Sequence, residues 1–573
     1  MRYVSVMAGI AIALSGLSTW ADTPGEDETA PPKIVVAQAS EEANVSSSAS
    51  NSIFEGLNIE LTDLRELVRK LDENSSLISY RMTLDEVIRL ALEANPDIII
   101  AYDGPIMASA DVVAARGEFD PLLSGSFSHT DSRASASGQV QIFSGFSDTE
   151  SKVTDYRVRL GGKFYNGTQY NVEVGTNRNK GTFTRSVVID PTTGLPLVDP
   201  ITGFPVTNVD SEYSSATTFT LTQPFLRGNG KRVNLARIRT ARNFLGISEQ
   251  QTRQTVMTMV GEAQKAYWDL VGAIEVLAVR DDALANAKRV LDISEKRLRF
   301  EVGTPLEVFQ AKAGVATAQG EFVSARALIS AMEDNLKLIL GMRDDGLFDS
   351  ARIIPVESPQ VILGEWDMKE SMERALSNRP EIVIANLDIE NAEIEEYRAK
   401  NDRLPQLDGS LSYTQSGLDF DFDGSYTNLR NKQGRTWVYG VSGSIPLGNR
   451  AAKGAHLRAK QQIRQTKHRR FKAEQDVMLA VRTAMRGVIT NEILVKNSEQ
   501  ARILQQANVA AEEKRLELGV TTSHEVLQVQ ENLTAARDLE LQNKINFEKS
   551  LVDLKVAEGV VLRELGIEFE DSE

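Results

Sequence analysis

The sequence predicts an α+β protein in which β-strands and very long helices occur in two successive repeats. Three observations support this fold class. Hydrophobic residues recur at alternating spacings of four and three over stretches of roughly seventy residues, which is typical of coiled-coil helices. Other stretches alternate between apolar and polar residues, which indicates strands with two different faces. A motif that starts at residue 82 recurs from residue 366, which indicates an internal duplication.

The N-terminal region precedes both repeats. Residues 1–21 predict a secretory signal peptide, because Arg2 is followed by an apolar run and by small residues at the cleavage site. The mature chain is therefore expected to leave the cytoplasm. Residues 22–52 are rich in Ser, Glu, Ala and Pro and predict a disordered tether. Leucine and valine residues spaced by four and three within 53–81 predict an extra helix.

Composition excludes several classes of function. The 573 residues include no cysteine, so the chain has no disulfide, no cysteine metal site and no thiolate nucleophile. The four histidines fall in no metal-binding spacing and no catalytic cluster is recognisable, so we expect no metal, no cofactor and no enzymatic activity. The net charge of -16 argues against nucleic-acid binding. No run after the leader provides the ~18 to 20 apolar residues of a spanning helix, so we expect any membrane-spanning part to consist of β-strands.

Residues 82–365 are predicted to form the first repeat. Thr83 and Glu86 have the spacing of a capping box, and Pro96 is expected to start a second helix. The strand signal is clearest on either side of the tight turn YNGT. The predicted elements are strands at about 122–130, 154–164, 168–176 and 216–225, a long helix at about 230–302 and a return helix at about 305–342.

Residues 366–566 are predicted to repeat this order, and 567–573 to form an acidic tail. Asp367 and Glu370 again have capping-box spacing. The predicted elements are strands at about 407–415 and 437–447, a long helix at about 450–518 and a return helix at about 523–565. In the two repeats Pro224 and Pro446 mark the boundary between strand and helix, where a missing N–H costs little.

Both long helices end in similar motifs, RFEVGTPLEV at 299–308 and RLELGVTTSHEVL at 515–527. Gly303 and Gly519 interrupt the helical pattern, and a Glu-Val pair follows each of them. We expect the backbone to reverse at each glycine and a return helix to start beyond it. The first break is then two residues shorter than the second between its glycine and its Glu-Val pair.

This order of motifs resembles the TolC family of outer-membrane efflux and secretion channels. The resemblance covers about 82–566 and is carried by ALEANP, LTQPFL, RFEVGTPLEV, LPQLDGSLSY, VSGSIPLGNR and LELGVTTSHEVL. It implies a homotrimer whose strands share one barrel in the outer membrane and whose helices form a long hollow cylinder in the periplasm. It also implies that the trimer acts as an exit duct together with a periplasmic adaptor and an inner-membrane pump, and that its barrel is in contact with outer-membrane lipid.

The chain departs from the family minimum of two strands per repeat by the additional pair 154–164 and 168–176. Either this pair crosses the membrane and gives six strands per protomer, or it forms an extracellular hairpin. We favour the first alternative, because both strands are long and alternate cleanly. Two other functions stay open: a duct for type I protein secretion and, in a different class, a structural coiled-coil protein of the envelope.

The resemblance places functional residues at the two breaks. Glu307 and Glu525 match the channel entrance, and at a further position that can be acidic this chain has Gln528. Three copies of each glutamate around an axis would favour cations, whereas the alternative is that both are ordinary solvated residues. His524 beside Glu525 suggests a hypothesis of pH-sensitive gating. The tips at which an adaptor is expected to dock are Val302, Gly303, Thr304, Pro305, Gly519, Val520, Thr521 and Thr522.

The segment DFDFDG at 419–424 resembles the start of a calcium-binding loop. Its twelfth position is Arg430, where such a loop has Glu, and no helical pattern flanks it. We therefore expect an acidic extracellular loop and no metal site.

Overall fold

A computed structural model gives the structure of the chain. The signal peptide, the predicted helix over 53–77 and nearly all of the tether lie outside the residues that it describes. These described residues are 34–36, 78–135, 148–198, 200, 207–342, 351–359, 364, 366–518 and 520–569.

The chain divides into two compact units. The first, called the helical unit below, consists of Met1–Ile106, Val256–Glu365 and Gly487–Glu573. The second, called the sheet unit, consists of Met107–Thr255 and Trp366–Arg486. Each unit therefore takes segments from both sequence repeats, as expected for a duplicated chain in which strands and helices alternate.

The strands include every stretch in which the sequence alternates between apolar and polar residues, in whole or in part. Their bounds are β1 Ile34–Val36, β2 Ile78–Met82, β3 Leu122–Ser135, β4 Asp148–Lys163, β5 Gln169–Val187, β6 Thr207–Pro224, β7 Ala351–Pro355, β8 Gln406–Asp419, β9 Gly434–Ser444 and β10 Ile567–Phe569.

The helices include two of more than sixty residues, each followed by a return helix. Their bounds are α1 Leu84–Ala94, α2 Pro96–Arg116, α3 Lys231–Asn234, α4 Ala236–Arg299, α5 Pro305–Ile339, α6 Met368–Asn378, α7 Pro380–Asn401, α8 Phe422–Arg430, α9 Arg450–Glu517, α10 Ser523–Glu558 and α11 Val561–Glu564.

Six strands of the sheet unit form one antiparallel sheet in the order β3-β4-β5-β6-β8-β9. The additional pair, β4 and β5, lies inside this sheet between β3 and β6. The turn that joins the pair is fixed by Gly167, which has a φ of 96° and donates its N–H to Phe164 O at 2.8 Å. β3 and β9 are the two edge strands of the sheet within one chain.

Short strand pairs correct three expectations about the ends of the chain. The extra helix was expected to reach residue 81, but Ile78–Met82 pairs in parallel with Ala351–Pro355. Here Ile78, Tyr80 and Met82 alternate with polar residues, which favours a strand. Within the expected tether, β1 pairs with β10, which lies where the acidic tail was expected to begin. β1 consists of three consecutive apolar residues, and β10 has Ile567 and Phe569 on either side of Glu568; β-branched and aromatic residues of this kind favour pairing over disorder.

Tyr267 connects the parallel strand pair to the core of the helical unit. Its side chain is fully buried, its hydroxyl donates to Met82 O at 3.3 Å, and the same hydroxyl accepts from Glu357 N at 3.2 Å. Burial raises the pKa of the Tyr267 phenol. Around it pack buried apolar side chains from several helices: Val87, Ala91, Leu270, Leu336, Leu340 and Ile545.

The helix starts follow the sequence closely. Thr83 accepts from Glu86 N, and the Glu86 carboxylate accepts from Thr83 N at 2.8 Å, which completes a capping box. Asp367 caps α6 by accepting from Lys369 N at 2.8 Å, without help from Glu370. Pro96 and Pro380 occupy the first positions of α2 and α7.

One helix contradicts the expectation that no apolar run of membrane-spanning length follows the leader. Among the described residues, Pro96–Phe119 is long enough, and over part of its length apolar enough, to cross a membrane. The run was missed because Asp97, Asp103 and Asp111 interrupt it. Core helices of soluble proteins reach the same composition, so we infer no membrane span from this helix.

We expect Tyr267→Phe to lower the free energy of unfolding by about 1 to 2 kcal/mol, because it leaves Glu357 N without its partner and removes one of the two hydrogen bonds to Met82 O. Thermal unfolding of the purified protein measures the effect. The matched control is Tyr426→Phe at an exposed position of α8, which should leave the transition unchanged. Equal effects of the two substitutions would contradict the role of the Tyr267 hydroxyl.

Candidate functional site

The first candidate feature is the break between α4 and α5. Val302 N donates to Arg297 O at 3.0 Å, and Glu301 N donates to Leu298 O at 3.1 Å. Glu301 has a φ of 57°, in the left-handed region. These features form a Schellman motif, which satisfies the last carbonyls of a helix. The expectation that the backbone reverses at Gly303 was wrong, because Glu301 takes the left-handed position.

Gly303 allows a close approach within this break. Its N–H also donates to Arg297 O, at 3.1 Å. A Cβ atom at residue 303 would lie 3.1 Å from Arg297 Cβ and 3.2 Å from Arg297 C. The glycine is therefore required for space and not for an unusual φ.

The second break has the same backbone pattern as the first. Val520 N donates to Arg515 O at 2.9 Å, as Val302 N does to Arg297 O. This bond aligns Gly519, which lies outside the described residues, with Glu301. The two breaks between the helices are therefore equal in length, although Gly303 precedes its Glu-Val pair by two residues fewer than Gly519 does. The sequence comparison had matched two glycines that occupy different positions in the motif.

The return helices start in the same way. Thr304 caps α5 by accepting from Glu307 N at 3.3 Å, and Thr522 caps α10 by accepting from Glu525 N at 3.4 Å. Each glutamate thus lies in the first turn of a return helix, where the helix dipole stabilises a negative charge. Gln528 follows Glu525 by three residues and is on the same side of α10.

The two glutamates differ in their surroundings. Glu525 is exposed, as are Gln528 and the neighbouring His524. Glu307 is half-buried, and its Oε2 atom is enclosed without a hydrogen-bond partner among the described residues. The other Glu307 oxygen accepts from the Thr304 hydroxyl at 3.3 Å. Glu307 and Glu525 are therefore equivalent in the backbone but not in exposure.

The start of α10 is anchored to α4. The hydroxyls of Ser294 and Ser523 are both fully buried and are hydrogen-bonded to each other at 2.9 Å. Beside them, Val290, Leu516 and Val526 form a small buried apolar cluster. The second break is thereby fixed to the long helix of the first repeat.

An ionic tie joins three helices of the helical unit. Arg280 on α4 pairs with Glu321 on α5 at 2.9 Å and with Asp538 on α10. Burial raises the pKa of the Asp538 carboxyl, and the Arg280 guanidinium opposes this by favouring the charged form. The tie therefore holds both return helices to one long helix through a partly buried arginine.

The second candidate feature is the apolar face of the six-stranded sheet. Directly opposed residues of an antiparallel sheet share a face, so the register identifies each row. One complete row across all six strands is apolar: Leu123, Leu160, Val172, Phe219, Tyr413 and Trp437. The adjacent row adds Tyr170, Leu221, Leu411 and Tyr439.

The opposite face of the sheet is polar. Its fully paired rows contain Ser, Thr, Ala, Gly and Asn residues together with two apolar side chains, Leu122 and Val438. Charged side chains in these rows come from β4 and β5 and include Arg157, Arg159 and Glu173. The sheet thus separates an apolar surface from a polar one, which is the property that a membrane barrel requires.

The acidic DFDFDG segment is used in the turn that leads into α8. Asp419 accepts from Phe420 N at 2.7 Å and from the Asn428 side chain at 3.1 Å. Asp421 caps α8 by accepting from Gly424 N at 3.3 Å. These bonds account for two of the three aspartates, and no cluster of metal-binding side chains occurs among the described residues.

The two boundary prolines lie at one end of the sheet. Pro224 is the last residue of β6, opposite Asp408, and Pro446 follows just after the end of β9. Helices α3 and α9 begin within a few residues of these prolines.

Sequence reasoning missed two parts of this site. The equal length of the breaks could have been found from the shared Arg-Leu pairs, Arg297-Leu298 and Arg515-Leu516, which align without a gap. The tie at Arg280 had no such signal, because its partner Asp538 is 258 positions away in the sequence.

Comparison with models of protein families gives a match over most of the chain. The family model described as outer membrane efflux protein matches residues 87–342 and 372–560. No characterised protein matches the chain significantly by direct sequence comparison.

Solved structures are similar in fold. The outer-membrane channel OprN has a TM-score of 0.58 and 15% identity, with 83% of this chain and 89% of that chain covered. The outer-membrane protein VceC from Vibrio cholerae has a TM-score of 0.57 and 16% identity, and the match covers 83% of this chain and 96% of VceC. The Campylobacter jejuni channel CmeC has a TM-score of 0.57 and 16% identity, and the match covers 93% of this chain and 95% of CmeC. At these identities the likeness concerns the fold, and it confirms the predicted fold class.

We expect opposite effects from two substitutions in the first break. Glu301→Gly should raise stability by about 0.5 to 1 kcal/mol, because a left-handed φ costs glycine little. Gly303→Ala should lower it, because the added Cβ meets Arg297. Thermal unfolding distinguishes them, with Gly320→Ala in an open part of α5 as the control that should not destabilise. A stabilising Gly303→Ala would contradict the assignment.

Proposed function

The chain belongs to the outer membrane efflux protein family, as its resemblance to the TolC family predicted, and from this premise we propose that it forms an exit duct through the outer membrane. In this proposal the duct is a homotrimer that exports small molecules together with a periplasmic adaptor and an inner-membrane pump. The family is one of channels, and the duct performs no chemistry. The observation that carries the proposal is the continuous apolar face of the sheet.

Lipid is the partner that the apolar face fits. Its aromatic side chains, among them Phe127, Phe219, Trp437 and Tyr439, are exposed in the single chain. A large exposed apolar surface marks a site of membrane or protein contact. Because the opposite face carries Ser, Thr and charged residues, the sheet suits lipid on one side and water on the other.

The position of the apolar residues supports a tilted arrangement in the membrane. On β4 the apolar residues of this face are centred on Val158. The residue of β9 in the same row as Val158 is Arg435, but the apolar residues of β9 are centred on Tyr439, four positions further along the strand. The band thus shifts by about four residues, or ~13 Å, over four strand spacings of ~4.8 Å each. This ratio corresponds to a strand tilt of about 35°, within the range of membrane barrels.

Closure of the barrel supports the homotrimer. β3 and β9 are the edge strands of the sheet in one chain, and an open sheet edge cannot face lipid. Pairing of β3 in one copy with β9 in the next would close the sheet. In this proposal β4 and β5 also cross the membrane, so that each copy contributes six strands to a barrel wider than the family minimum.

The two breaks are proposed as the periplasmic tips. Val302, Gly303, Thr304 and Pro305 form the first docking segment for the adaptor. The second segment is Gly519, Val520, Thr521 and Thr522. Their equivalent backbones support a partner that binds both breaks in a similar way. Release of the Arg280 tie during docking would free the return helices, so that the coils can untwist and open the duct.

Two alternatives are distinguished by different observations. A type I protein-secretion duct would share all these surfaces, so only the identity of the pump and the cargo separates it from an efflux duct. A structural envelope protein would need long helices but no apolar sheet face with a polar reverse side. The register of the sheet therefore favours a duct over a structural role.

The absence of cysteine allows a direct test of the membrane arrangement, because every introduced thiol is unique. We expect Thr218→Cys and Asn171→Cys, on the polar face, to react with a water-soluble maleimide in outer-membrane vesicles. Phe219→Cys and Val172→Cys, their neighbours on the apolar face, should not react. Reaction of all four would contradict the membrane barrel. Reaction of both β5 thiols and of Thr218→Cys, with Phe219→Cys unreactive, would show that β4 and β5 form an extracellular hairpin.

We expect Glu307→Gln combined with Glu525→Gln to reduce the cation preference of the channel, because three copies of each glutamate would concentrate negative potential at the entrance. Reversal potentials in planar bilayers measure this preference. The matched control is Glu531→Gln, an exposed glutamate further along α10. An unchanged preference would remove Glu307, Glu525 and with them Gln528 from the entrance, while the duct itself would stand.

A further inference from the structure

The polar face of the sheet carries its charge on the two additional strands. In the rows where all six strands are paired, β3, β6, β8 and β9 contribute uncharged residues to this face. In the same rows β4 contributes Arg157 and Arg159, and β5 contributes Glu173. The pair that distinguishes this chain from the family minimum therefore also gives these fully paired rows their charge.

The two arginines are held in place by carboxylates on the same face. Arg159 donates from Nε and Nη2 to Glu173 Oε2, at 3.0 and 2.6 Å. Arg157 Nε pairs with Asp155 Oδ2 at 2.7 Å. The Arg157 side chain lies over Gly175 on β5, where an added Cβ would come within 3.1 Å of Arg157 Cγ. The guanidinium groups are thus positioned by the sheet.

Exposure decides which charge a solute meets. The side chains of Arg157 and Arg159 are 48% and 55% exposed, whereas those of Asp155 and Glu173 are 15% and 23% exposed. The carboxylates therefore lie beneath the guanidinium groups. Because a guanidinium has five N–H donors, each arginine keeps donors that can bind a further anion.

We propose that Arg157 and Arg159 form a cationic collar inside the barrel that binds anionic groups, carboxylate or phosphate, of passing solutes. The proposal rests on the duct, because only closure of the barrel turns the polar face into a lumen. Three copies of the collar then face one another, and within the fully paired rows Glu173 is the one other charged residue of this face. Rings of arginine select for anions in pores, so the collar gives the membrane section an anion preference.

The other cation that β4 contributes to the polar face does not extend the collar. Lys163 pairs at 2.8 Å with Glu118, which lies outside the strands, and both side chains are about one-third exposed or less. In this pair the carboxylate is the more exposed partner, so the pair presents no surplus of positive charge to a solute. The specificity of the membrane section therefore depends on Arg157 and Arg159.

Single-channel recordings in planar bilayers under a KCl gradient test the collar, with inorganic pyrophosphate as the blocking anion. Arg157→Gln combined with Arg159→Gln should lower the anion-to-cation permeability ratio by about twofold or more and weaken the block. Arg157→Lys combined with Arg159→Lys keeps the charge and should retain the ratio. The matched control, Arg435→Gln, removes one cation from the apolar face of the same sheet and should change neither quantity.

The outcomes separate this inference from the proposed function. If the parent protein forms channels and the glutamine variant keeps both its permeability ratio and its block, the collar is overturned and the duct stands. An effect of Arg435→Gln equal to that of the glutamine variant would also overturn the collar. If the parent protein forms no channel, the duct itself fails. A lower anion-to-cation permeability ratio and a weaker block in the glutamine variant alone would establish the collar.

Discussion

The register of one antiparallel sheet is the constraint on which the other features depend. Opposed residues share a face, so a slip of one residue in any strand would move its apolar side chains to the polar face. Six strands from two repeats keep registers that agree, and the row from Leu123 to Trp437 is therefore apolar throughout. The proposed lipid contact, the proposed closure between copies and the proposed polar lumen all depend on this agreement.

The same constraint explains which strands the sequence predicts well. In β4 and β5 the two faces differ strongly, with Val158 and Val174 on one side and Arg159 and Glu173 on the other, so alternation is clear. The outer ends of β5 and β6 are rich in Ser, Thr, Asn and Gly, which alternate weakly. Pairing with neighbours extends these strands beyond the predicted ends, and such pairing is a long-range property that a local pattern does not record.

At the breaks, local chemistry predicts the capping residues but not the turn. Thr304 and Thr522 cap their helices as their sequence context suggests, because N-capping depends on residues within one turn. The left-handed position is set by hydrogen bonds to Arg297 and Leu298, which hold Glu301 there although glycine would fit more easily. The glycine therefore does not mark the left-handed position of the first break, because Gly303 instead allows a close approach to Arg297.

Because the two breaks share one backbone pattern, any difference in their function must come from side chains. At the second break, Ser523 is buried against Ser294, which fixes α10 to α4. The first break exposes more large apolar side chains, Phe300, Val302, Leu306 and Phe309, than the second, which exposes Leu518 and Val520. Exposed apolar surface suits the binding of a partner, whereas an anchored helix start transmits movement to its neighbour. On the proposed function, the first break therefore contributes mainly to docking and the second mainly to gating.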